Sequence, residues 1–430
     1  MKKEVKTSIE GLEIGMFVSR LDRSWLATDF ALEGLRINSA EDIAHLRRYC
    51  NYVYVDVEAG PSPDARFWVH RQVAKSYDTP PQITERKPKQ TPCKFDGRNE
   101  YTALKKFEYH LSTNVEVEFN TAKQAYEKFS EDFQEAMASI ELNKGIDVDA
   151  IKQSITSVVE SILHNPDAMG LVVKLKQFDN ITYKRSLGAS ILCATFGRHL
   201  GLERIDIENL ALGGLLLDMG KSKIPLELLR KPAPLSAEEI GQLHLHVDTG
   251  IRMLTGALTP TQEKKIPLSV IQMVATHHER HDGGGYPQGL KGAEIPIFGR
   301  IAGIVDSYDA MTSERPYSGS KSKAPHEAVT ELYELRGSLF QAELVEQFIQ
   351  TVGLYPTGTL VELNTGEVGA VVAVNGLRRL RPSVMLLLDS KKQPLQNFRY
   401  VDLSEHESTL SVVQGLPSGA YGIDMKSVFL

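Results

Sequence analysis

His277-His278-Glu279-Arg280-His281-Asp282-Gly283-Gly284-Gly285-Tyr286-Pro287 sets three imidazoles and two carboxylates ahead of three glycines and a Tyr-Pro turn. Imidazole nitrogen and carboxylate oxygen are the donors that suit zinc, iron, manganese or nickel. Glycine lets the backbone turn sharply and approach a bound group closely. A histidine-rich surface loop could carry the same residues, but matching donors lie on both sides. Asp218 and Lys221 stand in Leu217-Asp-Met-Gly-Lys, His246 in His-Val-Asp-Thr-Gly, and Asp306 in Asp-Ser-Tyr-Asp309-Ala. Facing helices can bring such separated donors onto one centre, so the stretch predicts a metal site within a helical bundle.

The flanking pattern agrees. Ile151, Ile155, Val158, Val159 and Ile162 mark one amphipathic helix, broken by His164-Asn-Pro-Asp. Helical patterns follow over 187–200, 207–217, 237–254, 269–279, 301–311, 326–337 and 342–350, separated by Gly, Pro and Asp turns. Upstream, Leu104, Phe107, Leu111, Ala122, Ala125, Phe129, Phe133 and Ala136 recur at helical spacing through a long polar stretch beginning at Glu100. Near the N-terminus, Ile14, Met16 and Val18 alternate as in a half-buried strand. Ser39-Ala-Glu-Asp42 opens a short helix through Leu46, and 52–55 reads as a strand. Beyond Tyr355-Pro356 a hairpin is expected over 359–374, turning at Asn364-Thr-Gly366, with further strands at 384–388 and 398–401.

The expected fold is therefore mainly α: a helical bundle with a small N-terminal α/β domain and a small β-rich C-terminal extension. The boundaries read 1–58 for the N-terminal domain, 59–98 for a Pro-rich linker, 99–145 for a helical connector, 146–355 for the bundle and 356–430 for the extension. The linker is read from Pro61, Pro63, Pro80, Pro81, Pro88 and Pro92 among polar residues.

At 430 residues the chain exceeds what one hydrophobic core supports. A net charge of −6 speaks against nucleic-acid binding, which favours basic stripes. Three widely spaced cysteines argue for a reducing compartment rather than a disulfide framework. The apolar runs at 210–217 and 384–388 are too short to span a bilayer. A cytoplasmic protein is expected.

His277-His278-Glu279-x-x-Asp282-Gly283-x-Gly285-Tyr286-Pro287, followed by Arg300-Ile-x4-Asp306-x-Tyr308-Asp309-Ala310 and Arg315-Pro316-Tyr317, resembles the signature of the HD-GYP subfamily of HD-superfamily metal-dependent phosphohydrolases. The resemblance spans roughly residues 182–353. The N-terminal segment is similar to a small domain of unknown function that often precedes HD-GYP domains, and the tail to an extension that often follows them. It implies an HD-type bundle that hydrolyses cyclic di-GMP using clustered metals. It also implies that Asp218, His246, His277 and His278 hold one metal. Asp306, with two further histidines and bridging Asp218, would hold another. Lys221 is implied to offset phosphate charge as a catalytic residue beside Asp218. Tyr286 reads either as a stacking partner for a guanine base or as a structural turn aromatic; Tyr286 and Arg315 join Lys221 as candidates for substrate binding.

Two family histidines are missing. Leu217 precedes Asp218 where the family has His, and Arg185 stands where an earlier helix normally supplies another. Leucine cannot bind a metal, and a permanently protonated guanidinium repels one. Arg185 is expected to pair with Asp306 or Asp218 in the altered pocket, leaving one divalent transition metal (Fe, Mn, Ni or Zn). The expected function is cyclic di-GMP binding with weak or no hydrolysis. The alternative is a catalytically inactive interaction module that partners a diguanylate cyclase, with the helix from Glu100 supporting a homodimer. An HD enzyme acting on another nucleotide or phosphoester is a third reading. His244, two residues before His246, is expected to face away from it as a surface histidine.

Overall fold

The computed structural model describes residues 4–22, 35–37, 39–57, 59–68, 106–141, 148–175, 181–231, 233–256, 266–313, 322–374, 380–405, 409–417 and 419–423. The chain divides into two compact units, Met1–Asp96 and Gly97–Leu430. It is mainly helical, with a small α/β domain at the N-terminal end and an antiparallel sheet after the bundle.

In the first unit, β1 (Glu4–Ser8), β2 (Phe17–Leu21), β3 (Leu35–Arg36) and β4 (Tyr52–Asp56) form an antiparallel sheet in the order β1-β4-β2-β3. Helix α1 (Ala40–Tyr49) begins at a reciprocal cap. The Asp42 N–H donates to Ser39 Oγ at 3.2 Å, and the Ser39 N–H to Asp42 Oδ2 at 3.0 Å. Met16, Val18, Ile37, Leu46, Val53 and Val55 form the buried core. Ile14 does not join it. The Met16 N–H donates to the Glu13 carbonyl in a turn, so β2 starts only at Phe17 and Ile14 stays exposed. The start of the expected linker is folded: Ala65–Phe67 makes a short 3-10 turn, and Trp68 bridges Thr7. From residue 69 to 98 the expected linker lies outside the described residues.

Among the described residues of the second unit the first helix is α2 (Val115–Glu141); residues 106–114, which the apolar spacing placed in a helix, are not helical. Asn114 sets the boundary, its Oδ1 accepting from the Val117 N–H at 2.8 Å. Phe107 and Leu111 precede the helix and are exposed, whereas Ala122, Phe129, Phe133 and Ala136 are buried; Leu104 lies outside the described residues. Next come α3 (Val148–His164) and α4 (Pro166–Leu175), joined at Asn165, whose Oδ1 accepts from the Asp167 N–H at 3.0 Å. Proline at the first position of α4 suits a helix start, since its missing N–H would go unused there.

Helices α5 (Ile181–Leu200) and α6 (Arg204–Leu216) cross closely, with Ser190 Oγ donating to the Ala211 carbonyl at 2.7 Å. After a one-turn helix, α7 (Leu226–Leu229), the single helix expected over 237–254 is instead two: α8 (Ala237–His244) and α9 (His246–Gly256). The interruption is the single residue Leu245, which keeps φ −61° and ψ −13°, and the Leu243 carbonyl lies 2.6 Å from His246 Nδ1. Then follow α10 (Leu268–Thr276), α11 (Ile297–Thr312), α12 (Pro325–Glu334) and α13 (Ala342–Val352). Helix α11 runs through the centre, with Ile301, Ala302, Ile304 and Val305 fully buried. Phe348 of α13 meets Phe196 and Tyr308 edge-on, with centroids 5.3 Å apart in both pairs.

The closing sheet comprises β5 (Leu360–Leu363), β6 (Val368–Ala373), β7 (Ser383–Leu388), β8 (Pro394–Asp402) and β9 (Val412–Leu416), ordered β8-β7-β6-β5-β9. Strand β9 was not expected from sequence; none of its residues is fully buried, which explains the weak alternation. Asp167 of α4 ties the sheet to the bundle by accepting from Thr357 Oγ1 at 3.0 Å and the Val374 N–H at 3.3 Å. Among the described residues no helix is long and apolar enough to cross a membrane.

Candidate metal centre

Asp218 leaves the end of α6 and opens the 3-10 turn Met219–Lys223. Gly220 lets that turn lie against α9: a Cβ there would stand 2.0 Å from the His246 carbonyl oxygen. His246 begins α9, and His277 and His278 follow the last turn of α10. Ligand atoms of Asp218, His246, His277 and His278 all lie within 4.8 Å of one another. Asp218 Oδ1 is 3.6 Å from His246 Nε2 and 4.0 Å from His277 Nε2.

The protonation of this cluster suits a cation. His246 Nδ1 lies 2.6 Å from the Leu243 carbonyl, and His277 Nδ1 2.8 Å from that of Val274. A carbonyl only accepts, so each Nδ1 carries the hydrogen. Burial, and for His246 also the Lys221 charge, keeps both rings neutral; His246 is held down to about 4. The Nε2 lone pairs are therefore free, as in histidine ligands oriented by a backbone acceptor. Burial and the neighbouring His277 likewise lower His278. Burial alone would push the Asp218 carboxyl up, but Lys221 and Arg185 hold it well below the usual carboxylate range. Asp218 Oδ1 and the Nε2 atoms of His246, His277 and His278 are all buried without a hydrogen-bond partner. Each such orphan costs roughly 1–3 kcal/mol, a penalty that one bound cation would remove from all four. These four residues have the donor chemistry to hold a metal.

Asp306 is not in that cluster. Its Oδ1 accepts from Arg185 Nη2 at 3.2 Å, and Asp309, one turn on along α11, accepts from Arg185 Nε at 2.9 Å. Arg185, Leu217, Asp218, Asp306 and Asp309 line one pocket with Ser186, Ala189 and Gly214. Three carboxylates keep the Arg185 guanidinium protonated against the opposing effect of burial. The expected partner Asp306 is thus joined by Asp309, to which the sequence reading gave no role. The signal was present in its spacing of three from Asp306, which puts both carboxylates on one helix face.

Lys221 Nζ donates to Asp218 Oδ2 at 2.7 Å, at the edge of the cluster. Tyr286 lies over His278, with centroids 4.6 Å apart. The Tyr286 N–H donates to the His278 carbonyl at 3.2 Å, and the loop beyond is held by Glu279, which accepts from the Gln288 and Leu290 N–H groups at 2.7 and 2.9 Å. A Cβ at Gly285 would stand 2.4 Å from the Arg280 nitrogen, so only glycine fits this fold-back. His244 does not point away as expected. It stacks on Tyr286, with centroids 3.5 Å apart and planes 10° from parallel. Arg315 lies outside the described residues.

The profile of the HD domain matches residues 170–344. A domain of unknown function, DUF3391, matches 4–151, and a KOW domain associated with the HD domain matches 360–416. The chain is 31% identical over 280 residues to a cyclic di-GMP phosphodiesterase of Pseudomonas aeruginosa, covering 65% of this chain and 66% of that protein. It is 35% identical over 172 residues to a cyclic di-GMP phosphodiesterase of Thermotoga maritima, covering 40% and 45%. A 3'3'-cGAMP-specific phosphodiesterase of Vibrio cholerae is 32% identical over 162 residues, covering 37% and 30%. The chain thus spans just under two thirds of the first relative's length and less than half of the other two. With the His277–Pro287 loop folded beside a buried His/Asp cluster, and Asp306 and Asp309 on the central helix, the chain belongs to the HD-superfamily phosphohydrolases, in their HD-GYP branch.

Proposed function

We propose that this protein binds cyclic di-GMP in the cytoplasm at a centre holding one divalent transition metal (Fe, Mn, Ni or Zn), and hydrolyses it weakly or not at all. Asp218, His246, His277 and His278 hold the metal in this reading, and Lys221, Tyr286 and Arg315 are assigned to ligand binding. The observation that carries it is the Arg185 guanidinium bonded to both Asp306 and Asp309, beside the buried Leu217 side chain. Asp306 then anchors an arginine in place of ligating a second cation, and the fixed positive charge repels one. The similarity to cyclic di-GMP phosphodiesterases supports the ligand class.

A single bound metal supplies Lewis acidity toward a phosphoryl oxygen but cannot clamp the attacking and leaving oxygens together. Lys221, held by Asp218, offers its remaining N–H donors to phosphate charge that grows in the transition state. Losing one transition-state contact of this kind costs about 10²–10³-fold in rate. The test is calorimetry of the full chain with cyclic di-GMP and Mn²⁺, followed by chromatography for linear dinucleotide. The expected result is binding with slow or absent product formation. Turnover at ordinary enzyme rates of about 1–10³ s⁻¹ would overturn it. No binding at all would favour the interaction module that partners a diguanylate cyclase.

A further inference from the structure

We propose that His244 is a base-stacking residue, whose outer face receives one purine base of the cyclic dinucleotide while the metal centre and Lys221 receive the phosphate. The inference rests on the ligand class proposed above and adds where the base sits.

Three rings form a column. His278, a candidate metal ligand, lies under Tyr286 with centroids 4.6 Å apart, and Tyr286 lies under His244 at 3.5 Å. Both faces of Tyr286 are therefore taken, so Tyr286 offers no free face to a base while the column stands. The end of the column is His244. Among the described residues its imidazole has no hydrogen-bond partner, and the stack on Tyr286 is the ring contact that holds it. The ring serves neither as a candidate ligand nor as a donor or acceptor within the fold.

Its surroundings suit a planar apolar ligand. Ile240, one turn earlier on α8, is 42% exposed and Leu245 is 52% exposed, although both are large hydrophobic residues. The platform beneath is rigid, since the Tyr286 N–H is bonded to the His278 carbonyl and Glu279 clamps the loop after it. His278 belongs both to the column and to the donor cluster, so the stacking face and the phosphate site share one frame. A base bound there would sit at a fixed offset from the phosphate, and a ligand lacking the aromatic base would lose that contact alone.

The test measures binding of cyclic di-GMP and of inorganic phosphate to the Mn²⁺-loaded full chain, for the unmodified protein, His244→Ala and His244→Phe. Loss of one base–aromatic stack predicts cyclic di-GMP affinity reduced roughly 5- to 150-fold in His244→Ala. His244→Phe should stay within about threefold of the unmodified chain, because phenyl preserves the stacking face. Phosphate affinity and metal content should be the same in all three. Unchanged or tighter dinucleotide binding by His244→Ala would overturn the proposal, the latter by showing that the ring blocks Tyr286. A phenylalanine variant as weak as the alanine variant would also overturn it, since stacking would not be what the imidazole supplies. If the unmodified chain binds no cyclic dinucleotide, the proposed ligand class fails first and this inference with it.

Discussion

Replacing Arg185 by methionine keeps most of its aliphatic bulk and removes the charge that holds Asp306 and Asp309 together. The two ion pairs, at 3.2 and 2.9 Å, join side chains that are 22%, 12% and 13% exposed. Taking one partner from a buried pair costs roughly 3–5 kcal/mol, because the remaining charge is left in a poor dielectric. Partial exposure trims this to about 2–4 kcal/mol. For a unit of this size that is a drop in Tm of roughly 3–6 °C. The pH dependence fixes the cause. Burial already raises the Asp309 carboxyl, and Arg185 is what opposes that rise. Without Arg185 the folded-state pKa climbs further above the unfolded value, so the folded variant takes up a proton that the unfolded chain does not. The deficit is therefore largest at high pH and shrinks as pH falls toward the carboxylate range. Thermal unfolding at pH 8 and pH 5.5 measures both effects. Adding Asp309→Asn should be non-additive by about 0.5–3 kcal/mol, as expected of residues in contact. An Arg185→Met variant that melts within a degree of the unmodified chain at both pH values would refute the reasoning.

Three further outcomes follow from the same geometry. Restoring imidazoles with Arg185→His and Leu217→His together should raise bound metal from one to two per chain by elemental analysis, and an unchanged count would mean that the altered pocket is wrongly assigned. Gly220→Ala should lower metal retention several-fold while far-ultraviolet circular dichroism stays helical, because the new methyl pushes the Asp218 turn away from His246; full retention would show that this close approach is unnecessary. Burial raises Asp167 to about 6 against the opposing bonds from Thr357 and Val374, so its stabilising contribution is present below about pH 4 and is lost as pH rises through 6. Asp167→Asn should remove that slope, on the order of 1–2 kcal/mol in urea titrations between pH 4 and 7, and a slope as steep as before would rule out Asp167 as its source.

The helical body was legible in the sequence because its apolar residues repeat at helical spacing and its turns are punctuated by Gly, Pro and Asp. The convergence of Asp218, His246, His277 and His278 was legible from donor chemistry and family resemblance, without any knowledge of distances. Positions decided by single hydrogen bonds were harder to read. The cap at Asn114 starts the helix after Phe107 and Leu111, whose spacing had implied an earlier start, and the turn at Glu13–Met16 removed Ile14 from its strand. His244 matters most: helical spacing sets it apart from His246 but says nothing of Tyr286, which the folded loop brings onto its ring. Asp309 was passed over because a carboxylate one turn beyond a family ligand looks like ordinary helix polarity until an arginine is found bridging the two.

The central claim is that four donors close around one cation while an arginine fills the neighbouring place. Elemental analysis of the full chain, purified without chelators and dialysed against metal-free buffer, tests this directly. One equivalent of transition metal per chain, lost in His246→Ala and retained in Asp306→Asn, is the predicted result. Two or more tightly held equivalents per chain, or one equivalent that survives His246→Ala, would contradict it.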